Sequence, residues 1–470
     1  MPVSPAYAAA PELPALGADF ADVVAAADFP KTILRFRNDR AAASVGLDTL
    51  TDAEWIAHFG RFEPLPDNIP APLAMRYHGH QFRVYNPDLG DGRGFLFAQL
   101  REAGSGRLLD LATKGSGQTP WSRTADGRLT LKGGVREVLA TAMLEALGVP
   151  TSRSFSLIET GEDLLRHDEP SPTRSAVLTR LSHSHIRFGS FQRQAYAERP
   201  DNLNRLIDYV IANHYPELGN PHERPGALLT AVAGRAATMT ARWMAAGFVH
   251  GVLNTDNMNI TGESFDYGPY RFLPRNDPNF VAAYFDETGL YSFGRQPEAV
   301  FWNLQQLAGA LTPISETEPL VDALNSFSGA YRDALRQSML MRLGMKSRGA
   351  EADVTLVNLA FRALAKAGEG ARWEPFFFDW FCGDAARAVG GPRGGLYAGD
   401  HASAFRQALA GFEADRPERL SHPYFAGAEP DELLYDQIEA LWAAIAERDD
   451  WSAFEAKLAG IEVARQGWAF

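Results

Sequence analysis

His250-Gly251-Val252-Leu253-Asn254-Thr255-Asp256-Asn257, with Asp266-Tyr267-Gly268 opening nine residues after Asn257, is the stretch on which the fold class turns. Phosphoryl-transfer sites of the kinase type carry His-x-Asp-x-x-x-x-Asn. There the Asp acts as base, the Asn binds metal, and a downstream Asp-Phe-Gly adds a second metal-binding carboxylate. His250 opens this pattern, Asn257 falls at the right offset, and Asp266 begins an Asp-aromatic-Gly triplet. The base position holds Val252, which cannot accept a proton. Asp256 is the nearest carboxylate able to substitute. One carboxamide and two carboxylates are hard oxygen donors suited to Mg²⁺ or Mn²⁺. The competing reading, an Asn/Asp turn between two strands, leaves the ordered matches unexplained.

Upstream residues supply what such a loop would need. Gly90-Asp91-Gly92-Arg93-Gly94 puts three glycines in five positions ahead of a predicted strand at 95–100. Backbone N–H groups of such a loop can approach a phosphate closely, although Asp-Gly taken alone is more often a hairpin turn. Lys114 ends the strand-like run 109–113, and Glu137 sits near the first turn of a helix predicted over 134–147. That order suits a Lys–Glu pair that positions phosphates. A solvated Lys and an acid favoured by the helix dipole would leave the same letters. Arg180 and Arg187 flank residues 181–186 and suit bidentate capture of phosphate, whereas surface ion pairs are the commoner fate of two arginines. His78 and His80 have the look of a metal pair. With no third ligand candidate nearby, a structural or hydrogen-bonding role is expected.

The chain changes character near residue 200. Short apolar runs broken by Gly, Pro and Asp precede it, interrupted by the one helical stripe at 134–147; helical periodicity dominates after it, around a strand-rich island at 249–273. The expected fold class is α+β, a protein-kinase-like two-lobed fold. Residues 1–195 would form an N-terminal extension and a β-rich nucleotide-binding lobe with one prominent helix. Residues 196–470 would form a mainly helical lobe holding the metal and catalytic loop.

Composition limits the alternatives. Hydrophobic residues at 46% and charged residues at 22% of 470 exclude a disordered chain. A net charge of −13 removes a global footprint for nucleic acid. The single cysteine, Cys382, rules out an internal disulfide framework, a cysteine-rich zinc site and an iron–sulfur cluster. Residues 1–19 carry no Lys or Arg, and no apolar run approaches the ~20 residues that span a bilayer. The expectation is a soluble cytoplasmic protein with neither nucleic-acid nor membrane partners.

Six segments in order carry a resemblance: Gly79-His80-Gln81-Phe82, Asn86 to Arg93, Lys114 to Pro120, Asp126-Gly127-Arg128, His185 to Gly189, and His250 to Asn257. Together they resemble the selenoprotein O family, from about residue 70 to 312. The resemblance implies a pseudokinase fold that binds ATP turned round relative to ordinary kinases. It further implies transfer of AMP to Ser, Thr or Tyr hydroxyls of proteins, with ATP as co-substrate and Mg²⁺ or Mn²⁺ as cofactor. Carried over residue by residue, Gly90, Gly92, Arg93, Asp126 and Gly127 would contact the nucleotide, and Lys114, Arg180 and Arg187 would hold its phosphates. Glu137 would orient Lys114. Asn257 and Asp266 would bind the metal, Asp266 meeting the nucleotide through it, and Asp256 would be the base. The chain departs from the family at its thiols: it ends Gln466-Gly467-Trp468-Ala469-Phe470 and has Ala282-Ala283-Tyr284-Phe285-Asp286 where the family has a Cys-containing stretch. Cys382 matches neither place and reads as a buried structural thiol. An inactive ATP-binding scaffold, or a protein kinase with an unorthodox base, are the alternatives.

Overall fold

The computed structural model describes residues 3–167, 169–368 and 370–470. Its strands are β1 (Ala21–Val23), β2 (Ile33–Arg37), β3 (Leu73–Met75), β4 (Gly79–Gln81), β5 (Val84–Asn86), β6 (Leu96–Arg101), β7 (Leu108–Lys114), β8 (Leu129–Thr130), β9 (Arg153–Leu164), β10 (Thr173–Ser182), β11 (Phe248–Val249) and β12 (Arg271–Phe272). Eight of them form one curled antiparallel sheet in the order β1-β3-β6-β7-β10-β9-β2, with β8 paired to β10. The class is α+β, with strands concentrated before residue 183 and helices after it.

Alternation along the central strands decides what the sheet presents to each side. Leu109 and Leu111 of β7, with Val177 and Leu181 of β10, pack into an aromatic cluster of Trp55, Phe59, Phe95, Phe97 and Phe155. Leu108 of β7 and Leu178 of β10 point the other way, into the larger core. That second face is covered by the Leu131–Ala146 helix, whose Val135, Val138, Leu139 and Leu144 are buried. Thr130 caps the helix by accepting from Gly133 N–H at 3.1 Å. Gly134 lets it lie close on β9, since a Cβ there would come within 2.4 Å of Leu157 Cδ1. The larger core continues without a break from Ala10 to Trp468.

The longest helices after the sheet are Arg224–Ala246 and Thr317–Leu343, packed against each other. Gly247 ends the first of them in a left-handed conformation at φ 63°. The strand-rich island expected at 249–273 reduces to the two-residue ladder of β11 with β12. Between them the chain makes turns, because Asn side chains take up backbone groups a ladder would use. Asn257 donates to the Val252 carbonyl at 3.1 Å and Asn259 to the Ser184 carbonyl at 2.6 Å. Among the described residues no helix is long and apolar enough to cross a membrane.

Candidate active site

Register places the first cations. Leu178 of β10 lies opposite Lys114 of β7, and Arg180 opposite Ala112. Lys114 and Arg180 are therefore diagonal neighbours on the same, helix-covered face. Glu137 rises from that helix to meet both. Lys114 Nζ donates to Glu137 Oε1 and, at 2.7 Å, to Asp266 Oδ1. Arg180 Nη2 reaches the same Asp266 oxygen at 3.2 Å, and its Nε lies 3.6 Å from Glu137 Oε2. The helix begins at Leu131, so Glu137 belongs to its second turn and not its first, and Lys132-Gly133-Gly134 form the first turn itself. Both arginines are buried, with Arg180 at 5% and Arg187 at 6% exposure, which overturns a surface ion-pair reading.

Asp266 is held in a left-handed conformation, φ 65°, that a non-glycine residue adopts at a cost. Burial alone would raise its carboxyl, but Lys114, Arg180 and Arg187 outweigh that and hold it well below the usual carboxylate range. Asp256 has the opposite electrostatic fate. Burial pushes it up to about 6, with Arg187 opposing, and its Oδ1 is buried without a hydrogen-bond partner. Gly79 packs against it so closely that a Cβ would touch Oδ1 at 3.0 Å. His250 stacks no charge here; its Nε2 meets the Phe265 carbonyl at 3.0 Å and braces the Asp266 turn.

A cavity of about 710 Å³ opens beside this cluster, lined among others by Gly90, Gly92, Arg93, Asp126, Gly127 and Asp256. The loop glycines are required by packing. A Cβ at Gly90 would sit 2.3 Å from the Trp121 ring, and one at Gly94 would sit 2.1 Å from the Thr113 carbonyl. The Gly92 carbonyl accepts from Ser122 and the Asp91 carbonyl from Thr119, so residues 119–122 hold the loop in place. Arg93 is exposed at the cavity wall. Asp126 is bound by Arg166 at 2.8 Å, across the same cavity.

Sequence reasoning missed three participants. Asp91 is buried and accepts from Arg187 Nη2 at 3.2 Å, lies 3.2 Å from His185 Nε2, and takes the Met75 N–H. Burial would raise Asp91, but His185 and Arg187 outweigh it and lower it. Arg187 also donates to the Asp256 carbonyl at 3.0 Å, so Asp91, His185 and Arg187 together position the turn that carries Asp256. The two-residue spacing of His185 and Arg187 on one extended segment was the available signal. Trp121 gave none, since its fit to Gly90 is a long-range contact. His78 and His80 hydrogen-bond to Tyr85 and Gln192, each at 2.8 Å, and form no metal pair. Cys382 is buried, and burial pushes its thiol up to about 11.

Among the described residues no group of three or more His, Cys, Asp or Glu is arranged to hold a metal. The donors that remain are Asp266, the unbonded Asp256 Oδ1 and the Asn257 carboxamide oxygen, whose Nδ2 is committed to Val252. Few protein oxygens with room for phosphate and water is the donor set a Mg²⁺-like ion accepts.

Two cations, a shared carboxylate pair, and a glycine-lined cavity with one buried acceptor are the parts a phosphate-handling site would use. The comparisons narrow the class. The chain is 47% identical to the protein nucleotidyltransferase YdiU of Gloeobacter violaceus over 457 residues, 94% of this chain and 92% of that one. It is 44% identical to the YdiU nucleotidyltransferase of Synechocystis over 467 residues, covering 94% and 95%. The corresponding Trichodesmium erythraeum protein is 49% identical over 380 residues, 78% of each. This is a nucleotidyltransferase. It belongs to the protein adenylyltransferase SelO family, whose family model matches residues 6–386, as the six motifs had implied over a shorter span.

Proposed function

We propose that the chain transfers AMP from ATP to Ser, Thr or Tyr hydroxyls of proteins and releases pyrophosphate, on a kinase-like scaffold divided into two lobes near residue 195. The observation that carries this reading is the separation of electrostatic roles. Asp266 is held ionised among Lys114, Arg180 and Arg187, while Asp256, a residue of the cavity lining, is raised to about 6 and has a buried Oδ1 without a hydrogen-bond partner. The incoming hydroxyl oxygen bonds to the α-phosphorus, its proton passes to Asp256 Oδ1, and the bond to the pyrophosphate oxygen breaks. A general base with a value near the working pH suits this step. Arg180 Nη1 and Arg187 Nε, both buried without partners, are spare donors for charge developing on the departing pyrophosphate. Asp266 and Asn257 would hold Mg²⁺ or Mn²⁺, which supplies further neutralisation of phosphate charge. Gly90, Gly92, Arg93, Asp126 and Gly127 would border the nucleotide. A cytoplasmic location belongs to the same reading.

The test is label transfer from ATP carrying the label at the α- or the γ-phosphate, with Asp266→Ala as control. Label in protein from the α position alone, lost in the control, is expected. Label from the γ position alone would make the chain a kinase. Nucleotide binding without transfer to any supplied protein would make it a scaffold.

A further inference from the structure

A second cavity, about 800 Å³, lies at the other end of β7 from the active site. Arg107 and Leu108 border it, whereas Lys114 closes the strand roughly 20 Å away at the ordinary rise per residue. The two cavities share no lining residue. Three arginines from separate elements converge on this one: Arg101 from β6, Arg107 from the β6–β7 turn, and Arg235 from the Arg224–Ala246 helix. Each is paired with a carboxylate: Arg101 with Glu12 at 3.1 Å, Arg107 with Glu102 at 2.7 Å, and Arg235 with Glu217 at 2.7 Å. The Arg101 and Arg235 pairs are part-exposed on both sides and weak, so an incoming oxyanion can replace the partner. The Glu102 that holds Arg107, by contrast, is largely buried and shared with Arg153. Arg235 is also stacked 3.7 Å from the Tyr215 ring centroid, which fixes the plane of its fork.

The second observation is His214. It lines the cavity, is 8% exposed, and its Nε2 is buried with no hydrogen-bond partner. A buried, unpartnered nitrogen at the wall of a polar cavity calls for a partner. Burial, aided by Arg235 and Arg101, lowers its imidazole to about 3, so it stays neutral and adds no charge that would compete with the arginines.

We infer that this cavity is an effector site for a small molecule bearing phosphate or carboxylate groups, gripped by Arg101, Arg107 and Arg235 with His214 at its base. Its volume is that of a small-molecule pocket. Two segments join it to the active site. His183 lines the cavity, and two and four residues on, His185 and Arg187 grip Asp91. Gly262 also lines it, and four residues on, Asp266 meets Lys114. The site stands on its own geometry; only the effector role rests on the nucleotide reading above.

The experiment is isothermal titration calorimetry of the full chain with inorganic pyrophosphate and, separately, citrate, which distinguish phosphate from carboxylate recognition. At least one probe should bind, and Arg107→Ser and Arg235→Gln should each weaken it about tenfold, the loss of one charge-assisted contact. Pyrophosphate also fits the active site, so Arg180→Ala should remove that binding event alone and leave the one that Arg107→Ser and Arg235→Gln weaken. No binding of either probe, equal binding by both cavity variants, or loss only in Arg180→Ala would overturn the site. A second titration measures a non-hydrolysable ATP analogue with and without the bound probe. A shift of about fivefold or more in its affinity that Arg107→Ser abolishes is expected, since direct competition at the active site would survive that variant. An unchanged affinity overturns the effector role, and failure of the analogue to bind at all counts against the nucleotide reading while the first titration still decides the site.

Discussion

Asp256 and Glu263 are both buried carboxylates, and the difference between them lies in what surrounds each. Asp256 Oδ1 has no hydrogen-bond partner and its residue borders a cavity, so its proton affinity can be used in a reaction. Asp256→Asn removes only the acceptor. AMP transfer should fall by about 10²–10⁴-fold in kcat with the KM for ATP little changed. A proportional rise in KM with kcat preserved would show instead that Asp256 binds the nucleotide. Glu263 is tied to the His183 backbone N–H at 2.8 Å, and burial pushes it up to about 8 against that bond and Arg153 and Arg107. The folded chain thus holds a proton that the unfolded chain, with an ordinary value of 4.5, releases earlier. The stability this confers is complete below that ordinary value and is lost as pH rises through about 8. Glu263→Gln should flatten the pH dependence of the urea midpoint across this window, and an unchanged slope would locate the buried proton elsewhere.

The Leu131–Ala146 helix is the element on which the phosphate-handling pair depends, and much of it was legible. Val135, Val138, Leu139 and Met143 repeat at helical spacing, and Gly148 stops the run. Its start was not, because Lys132-Gly133-Gly134 reads as a loop until the close approach to β9 is seen. Gly134→Ala would drive Cβ into Leu157, lifting the helix and with it Glu137 from Lys114. Stability should fall by about 1–3 kcal/mol, and the KM for ATP should rise. Adding Leu157→Ala opens the space and should restore the KM. If the double variant binds ATP no better than Gly134→Ala, the helix position is not what sets the pair. The turns at 250–268 were misread as strands for a related reason. Their aromatic and apolar letters resemble strand sequence, while one Asn side chain that satisfies the backbone, Asn259, reaches Ser184, 75 residues away, over a distance no local pattern contains.

Across the whole molecule the two chain ends converge on the sheet, and this was the least legible feature. β1 and β2, from the N-terminal extension, occupy the two sheet edges. Arg35 and Arg174 both bind Glu159 and both reach Asp449, tying β2, β9 and β10 to the junction before the last helix. That helix, Ser452–Trp468, packs on the Leu131–Ala146 helix, and short apolar letters spaced three or four apart announced it only weakly. Trp468 anchors it, fully buried, with its ring 4.9 Å from Phe381 and the Arg342 guanidinium 4.7 Å from its centroid. Arg342 is itself buried and paired with Glu374 at 2.5 Å, so removing the ring also uncovers a buried charge. Trp468→Ala should therefore cost about 3–5 kcal/mol in chemical denaturation. Because the loosened helix covers the one that carries Glu137, the KM for ATP should rise in the same variant below its melting range. Trp468→Phe keeps most of the apolar contact and should recover most of both losses. A destabilised Trp468→Ala with an unaltered KM would confine the terminal helix to a covering role and leave Glu137 positioned by β9 alone.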